Sequence, residues 1–169
     1  GVSVTQKTAL QVSAVFACVN VIAGTLSMLP IQVFQRRNGR RVEITNTTRS
    51  YMLRHEGFPG ITAQNVFFTI IANLVLRGNG FSEIGFNGNG SVATLSPLET
   101  ALVTWEERTK NWLYTPTVGD QRRIDPSKMF HIRGMSMGGG AGVDMLGIAS
   151  EIIGLAMALD SNAAKFFSN

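Results

Sequence analysis

Charge is scarce in this chain. Charged residues make up 15% of it, while 44% is hydrophobic; ordinary soluble domains carry about 25% charge. So little charge points to a surface covered by something else, for instance neighbouring subunits. Cysteine is nearly absent. The single Cys18 lies in an apolar run, which excludes a disulfide framework and fits a reducing compartment. Only two histidines occur, His55 and His131, and the acidic residues are scattered. Neither C-x-x-C nor H-E-x-x-H is present, so no metal is expected. The phosphate-loop pattern G-x-x-x-x-G-K-[ST] is missing, and so is G-x-G-x-x-G, because Val143 stands where the third glycine counted from Gly138 would be. No cofactor is expected. No charged segment and cleavage site of the secretory kind appear. The net charge of +4 is compatible with a polyanion nearby, but is far below that of a dedicated DNA reader.

At 169 residues the chain has the size of one domain, expected to span 1–169. From Thr8 to Gln35 no residue is charged. That stretch approaches the ~20 apolar residues of a bilayer span, but Gln6, Ser13, Asn20 and Ser27 interrupt it every seventh position. It therefore predicts a long helix buried on most sides, and no membrane. Val12, Phe16, Val19, Ala23 and Leu26 form its expected core stripe. Ala14, Ala17 and Gly24 leave a face that another backbone can approach closely, a candidate subunit interface.

After Pro30 a strand is expected from Ile31, turning at Asn38-Gly39 and returning through Val42-Glu43-Ile44. Arg36, Arg37, Arg40 and Arg41 surround the turn. They could touch phosphates, or simply be a solvated tip. A short helix around Met52 and a turn at Pro59-Gly60 follow. A second long helix begins at Thr62, buries Val66, Phe67, Ile70, Ile71 and Leu74, and stops at Gly78. Short strands then alternate with turns, with Trp105, Trp112 and Tyr114 expected to pack across them. The last helix, Val143 to Ser168, carries Met145, Ala149, Ile152, Ala156, Leu159, Ala163 and Phe167 on one side. The fold class is α+β, long helices packed with short antiparallel hairpins and a meander.

Gly134-Met135-Ser136-Met137-Gly138 matches the G-x-S-x-G of a hydrolase elbow. An elbow serine needs a histidine after it in the chain, and none follows Ser136. His131 lies in a strand and reads as structural. The glycine run to Gly142 reads as a connection whose residues have conformational freedom, with Asp144 placed to cap the next helix. A serine hydrolase stays a remote alternative, and the catalytic residues are expected to be none.

The segment "TALQVSAVFACVNVIAGTLSMLPIQVFQRRNG" resembles the opening helix and hairpin of bacteriophage portal proteins. "LRGNGFSEIGFNGNG", "VATLSPLETALVTW" and "KMFHIRGMSMGGGAGVDMLGIASEIIGLAMALDSNAAKFF" are similar to later blocks of that family, in the same order. Where members often have Ser-Pro, this chain has Asp144-Met145. The resemblance implies a structural subunit of a ring, commonly a dodecamer, at one capsid vertex of a virion. It implies partners: copies of itself, a terminase motor, capsid and head–tail adaptor proteins, and double-stranded DNA passing through the channel without sequence recognition. It implies assembly in the host cytoplasm, and a wing-like region with stem and clip expected after residue 169. A sequence-tolerant nucleic-acid-binding module is the other reading.

Overall fold

The computed structural model describes residues 4–138 and 140–167. A short helix α1 (Gln6–Ala9) precedes α2 (Ser13–Ser27), and the hairpin β1 (Phe34–Arg37) with β2 (Arg40–Glu43) follows. Next come α3 (Thr48–Arg54), the small pair β3 (Glu56–Phe58) and β4 (Ile61–Thr62), and helix α4 (Ala63–Arg77). Strands β5 (Asn79–Phe86), β6 (Val92–Leu98), β7 (Val103–Glu106), β8 (Asn111–Tyr114), β9 (Arg122–Ile124) and β10 (Met129–Arg133) lead to α5 (Met145–Phe167). The α+β expectation holds.

Helix α4 is the centre. Thr62 Oγ1 accepts from the Asn65 amide at 3.2 Å to start it, and Gly78, left-handed at φ 68°, ends it by donating to Leu74 O. Val66, Phe67, Ile70, Ile71 and Leu76 are buried; fully burying such side chains is worth about 1.5–3 kcal/mol each. Leu74 is only half-buried, and Leu76 takes the core place expected of it. One side of α4 packs on the antiparallel sheet β10-β5-β6, joined by Met52 of α3. Another side meets α2 and α5, where Ala9, Val19, Leu76, Leu146 and Ile153 cluster.

A third cluster of Phe81, Leu98, Val103, Ile124 and Met129 joins β5 to the second sheet, β7-β8-β9. In that sheet Trp105 stands opposite Trp112, edge to face with centroids 5.0 Å apart, as cross-strand packing predicts. Tyr114 instead stands opposite Val103 and lies under the Arg122 guanidinium. The chain does not continue as one meander: β10 returns to pair with β5, so His131 stands opposite Phe81.

Four expectations need correction. The first helix is broken at residues 10–12 into α1 and α2. It is also not buried on most sides: in α2 only Val19, Ala23 and Ser27 are buried, while Phe16 and Leu26 of the expected stripe are exposed. Small Ala23 and Ser27 let α4 come close, so the contact line follows them and the bulkier residues fall beside it. At the two ends of the seventh-position polar set, Gln6 Nε2 donates to Asn73 Oδ1 at 2.7 Å and Ser27 is buried. The first strand begins at Phe34 rather than Ile31, with only Val33 O still accepting from Ile44 N. Finally, α5 buries Leu146 and Ile153, whereas Met145, Ile152 and Leu159 are exposed. Ser168 and the side chain of Phe167 lie outside the described residues.

On α2, Ala14 and Ala17 are exposed, and a Cβ added at Gly24 would meet nothing within 4 Å. Gly24→Ala should therefore stabilise the unassembled chain through helix propensity alone, by about 0.8–1 kcal/mol. The denaturant midpoint measures it; a lower midpoint would mean that the chain itself packs against this face.

Candidate functional site

The segment after β10 is built around Asn79, the residue that follows the α4 cap. Its side-chain Nδ2 donates to Arg77 O at 3.2 Å and to Gly142 O at 3.1 Å, while its Oδ1 accepts from Gly142 N at 2.8 Å. One amide thus satisfies both backbone groups of Gly142. The same Oδ1 lies 2.9 Å from His131 Nε2, and Thr100 Oγ1 donates to Asn79 O. Glycines make the close approach possible. A Cβ at Gly142 would lie 2.0 Å from Gly78 O, one at Gly78 would lie 1.9 Å from Val143 O, and Gly134 N donates to Gly78 O at 2.9 Å.

The loop is therefore pinned at both ends, which corrects its reading as a free connection. Ser136 is held as well. Its Oγ donates to Ala141 O at 3.0 Å and lies 3.3 Å from both Gly138 N and Gly138 O. His131 faces the other way: its ring stacks on Phe81 at 4.3 Å and meets Trp112 edge-on at 5.2 Å. No base reaches the Ser136 hydroxyl among these contacts, and the hydroxyl's bonds are spent on its own loop. Asp144 ties α5 to α4, its Oδ2 accepting from Arg77 Nη1 at 2.9 Å while its carbonyl accepts from Ile148 N.

Beside the loop lies an open cleft of about 900 Å³ between Arg77, Asp144, Trp105 and Trp112. Its one other carboxylate, Glu107, accepts from Trp105 Nε1 and pairs with Lys110, whose charge and hydrogen bond hold it below the usual carboxylate range. Nearby Glu106 is held down to about 2, first by its bond from Arg123 and then by Thr109. These acids stay ionised near neutrality and serve ion pairs, not proton transfer. Among the described residues no group of three His, Cys, Asp or Glu could hold a metal, and no helix is long and apolar enough to cross a membrane.

The arginine hairpin is a true two-residue turn, with Asn38 at φ 48° and Gly39 at φ 76°. Its register sets Arg36 opposite Arg41 and Arg37 opposite Arg40, all four exposed. Like charges directly opposite one another destabilise a strand pair. Arg41 relieves part of this by lying 3.8 Å over the Phe34 ring, and Arg37 Nε donates to Gln35 Oε1. At the hairpin's base Glu43 pairs with Arg54 at 3.1 Å. The hairpin and the α2 face of Ala14, Ala17 and Gly24 are thus separate surfaces. Asn79 was not singled out from the sequence; its position directly after a helix-ending Gly78 was the one available signal.

Long helices over small antiparallel sheets, with a glycine loop pinned between α4, β5 and α5, are the features to set beside known proteins. The chain belongs to the phage portal protein family: the model described as "Phage portal protein" matches residues 13–169. It is 26% identical over 171 residues to the portal protein of Enterobacteria phage HK97, covering 99% of this chain and 40% of that protein. It is 30% identical over 181 residues to the probable portal protein of Streptomyces phage phiC31, covering 100% of this chain and 39% of that one. The chain thus spans about two fifths of these relatives. Its fold matches a chain in the neck of an empty GTA particle computed with C6 symmetry, with a TM-score of 0.79, 20% identity, and coverage of 96% of this chain and 45% of that one.

Two outcomes test the site. Ser136→Ala should leave the denaturation midpoint and assembly within scatter, because the loop ends are held by Asn79 and Gly78; a lost fold would show that the hydroxyl carries the loop. His131 responds to pH. Burial, and then the charge of Arg133, holds its pKa below the ordinary value. The unfolded chain binds a proton near pH ~6.5 where the folded chain does not, so this contribution is present above that value and is lost as pH falls. The midpoint should fall between about pH 7 and 5.5, and His131→Gln should flatten that slope; equal slopes would remove His131 from the account.

Proposed function

We propose that this chain is the wing-like part of a portal subunit whose copies form a ring at one vertex of a capsid, with double-stranded DNA passing through the centre. The match to the portal family over residues 13–169 carries the reading. The sixfold symmetry of the GTA neck supports a ring, and a ring of twelve is compatible with a sixfold operator. The role asks for no reaction: a motor of the terminase kind would drive the DNA, and adaptors would close the ring toward the tail. In this reading the neutral helices are where subunits meet, with Ala14, Ala17 and Gly24 on one such face. Native mass of the full-length polypeptide tests it; a monomer at every concentration would overturn it.

The arginine tip is assigned to polyanion contact, supported by its two opposed arginine pairs, which an anion would relieve. Phosphate contacts release counterions, so the affinity they confer falls with salt, with a slope near −0.9 per phosphate on duplex DNA. Replacing Arg36, Arg37, Arg40 and Arg41 together with Gln should flatten the salt dependence of DNA binding by the assembled ring. Unchanged binding at every salt concentration would leave the tip a solvated turn, or a contact to a capsid neighbour.

A further inference from the structure

Two rows of residues on this chain share one spacing. On α5, Met145, Ile148, Ile152, Leu155 and Leu159 follow in steps of three, four, three and four, and each is between 42 and 75% exposed. On the outer face of α2, Ala14, Ala17, Val21, Gly24 and Met28 follow the same steps. Val21 and Met28 are 67 and 70% exposed, Ala14 and Ala17 are exposed, and nothing stands within 4 Å of a Cβ at Gly24. Alternating steps of three and four are the spacing of a helix–helix seam, where knobs of one helix enter holes of the other. One row is large throughout, and the other is mostly small.

We infer that α5 of one copy lies along the outer face of α2 of the next, and that this seam is a contact between subunits. The inference rests on the ring reading and names the surfaces that would close it. Three observations select a second copy as the occupant. Neither row contains a charge, so each can lose its water to the other without stranding an ion. A ring contact joins two different faces of identical subunits, and these rows differ in size while matching in period. Pairing α5 with α5 would leave the α2 row in water. The area is also adequate. The α5 row alone exposes on the order of 600 Å² toward the ~800 Å² per partner of a specific interface. An apolar groove of about 290 Å³ with Ala14, Cys18, Val75 and Met145 on its walls extends it.

The test uses the full-length polypeptide carrying Cys18→Ser, so that only introduced thiols react. Val21 and Ile152 are the middle positions of their rows and face each other whichever way the helices run. Val21→Cys with Ile152→Cys should give, on mild oxidation, a ladder of covalent multimers, while either change alone gives none. Dimers from Ile152→Cys alone would mean an α5–α5 pair and overturn the inference. A bond closed within one chain would overturn it too. A ring by native mass with no cross-link would sink the seam and leave the ring reading standing, whereas a monomeric mass would sink both. As an independent arm, Ile152→Glu should keep the parental denaturation midpoint, since the position is exposed, and weaken assembly at least about tenfold. Unchanged assembly would overturn the seam.

Discussion

The reversal from α4 into β5 is the constraint on which the remaining packing rests. Three consecutive residues make it: Gly78 in the left-handed region, Asn79 with its amide turned inward, and Gly80 against the helix. A Cβ at Gly80 would lie 2.6 Å from Ile70 O, so the strand can rest directly on the helix backbone only because none is there. That contact sets the distance between α4 and the β10-β5-β6 sheet. The Asn79 amide then fixes Gly142, and with it the start of α5, while the same oxygen orients the His131 ring against Phe81. Buried amides of this kind are costly if any partner is lost, which is why glycines surround this one on three sides.

Much of this was legible from residue patterns. The caps at Thr62 and Gly78, the turn at Asn38-Gly39, and the cross-strand packing of Trp105 with Trp112 follow from local chemistry, and all are present. What failed is what depends on a distant partner. The stripe through Phe16 and Leu26 is apolar at helical spacing, but periodicity cannot say which of several apolar faces meets α4 when no charge marks the solvent side. The same uncertainty misplaced the buried face of α5. Nor could the glycine loop be seen as pinned, because its anchor lies 63 residues earlier in the chain.

Charge is partitioned by element. Ion pairs join strands to one another, Glu83 with Arg122 and Glu106 with Arg123, and also reach the helix ends, Glu43 with Arg54 and Asp144 with Arg77. Exposed pairs like these contribute little to stability, but they keep the sheet side wetted. The helices α2 and α5 leave apolar rows uncovered. Contiguous exposed apolar rows of this kind are uncommon on monomers and mark contact surfaces.

The Asn38-Gly39 turn has a consequence in time. An asparagine followed by glycine can cyclise through the next backbone nitrogen with loss of ammonia, and water then opens the ring as isoaspartate or aspartate, most readily where the backbone is exposed and free to bend. Asn79-Gly80 has the same two residues, but its backbone is set in a strand and its amide is held on several sides. Asn87-Gly88 and Asn89-Gly90 carry the same pair in a second exposed turn, so ageing falls on both loops, the arginine hairpin among them. On the arginine hairpin it places a carboxylate beside the opposed Arg37 and Arg40, easing their repulsion while lowering the tip's positive charge. An aged chain and a new one would then differ at the surface assigned to phosphate.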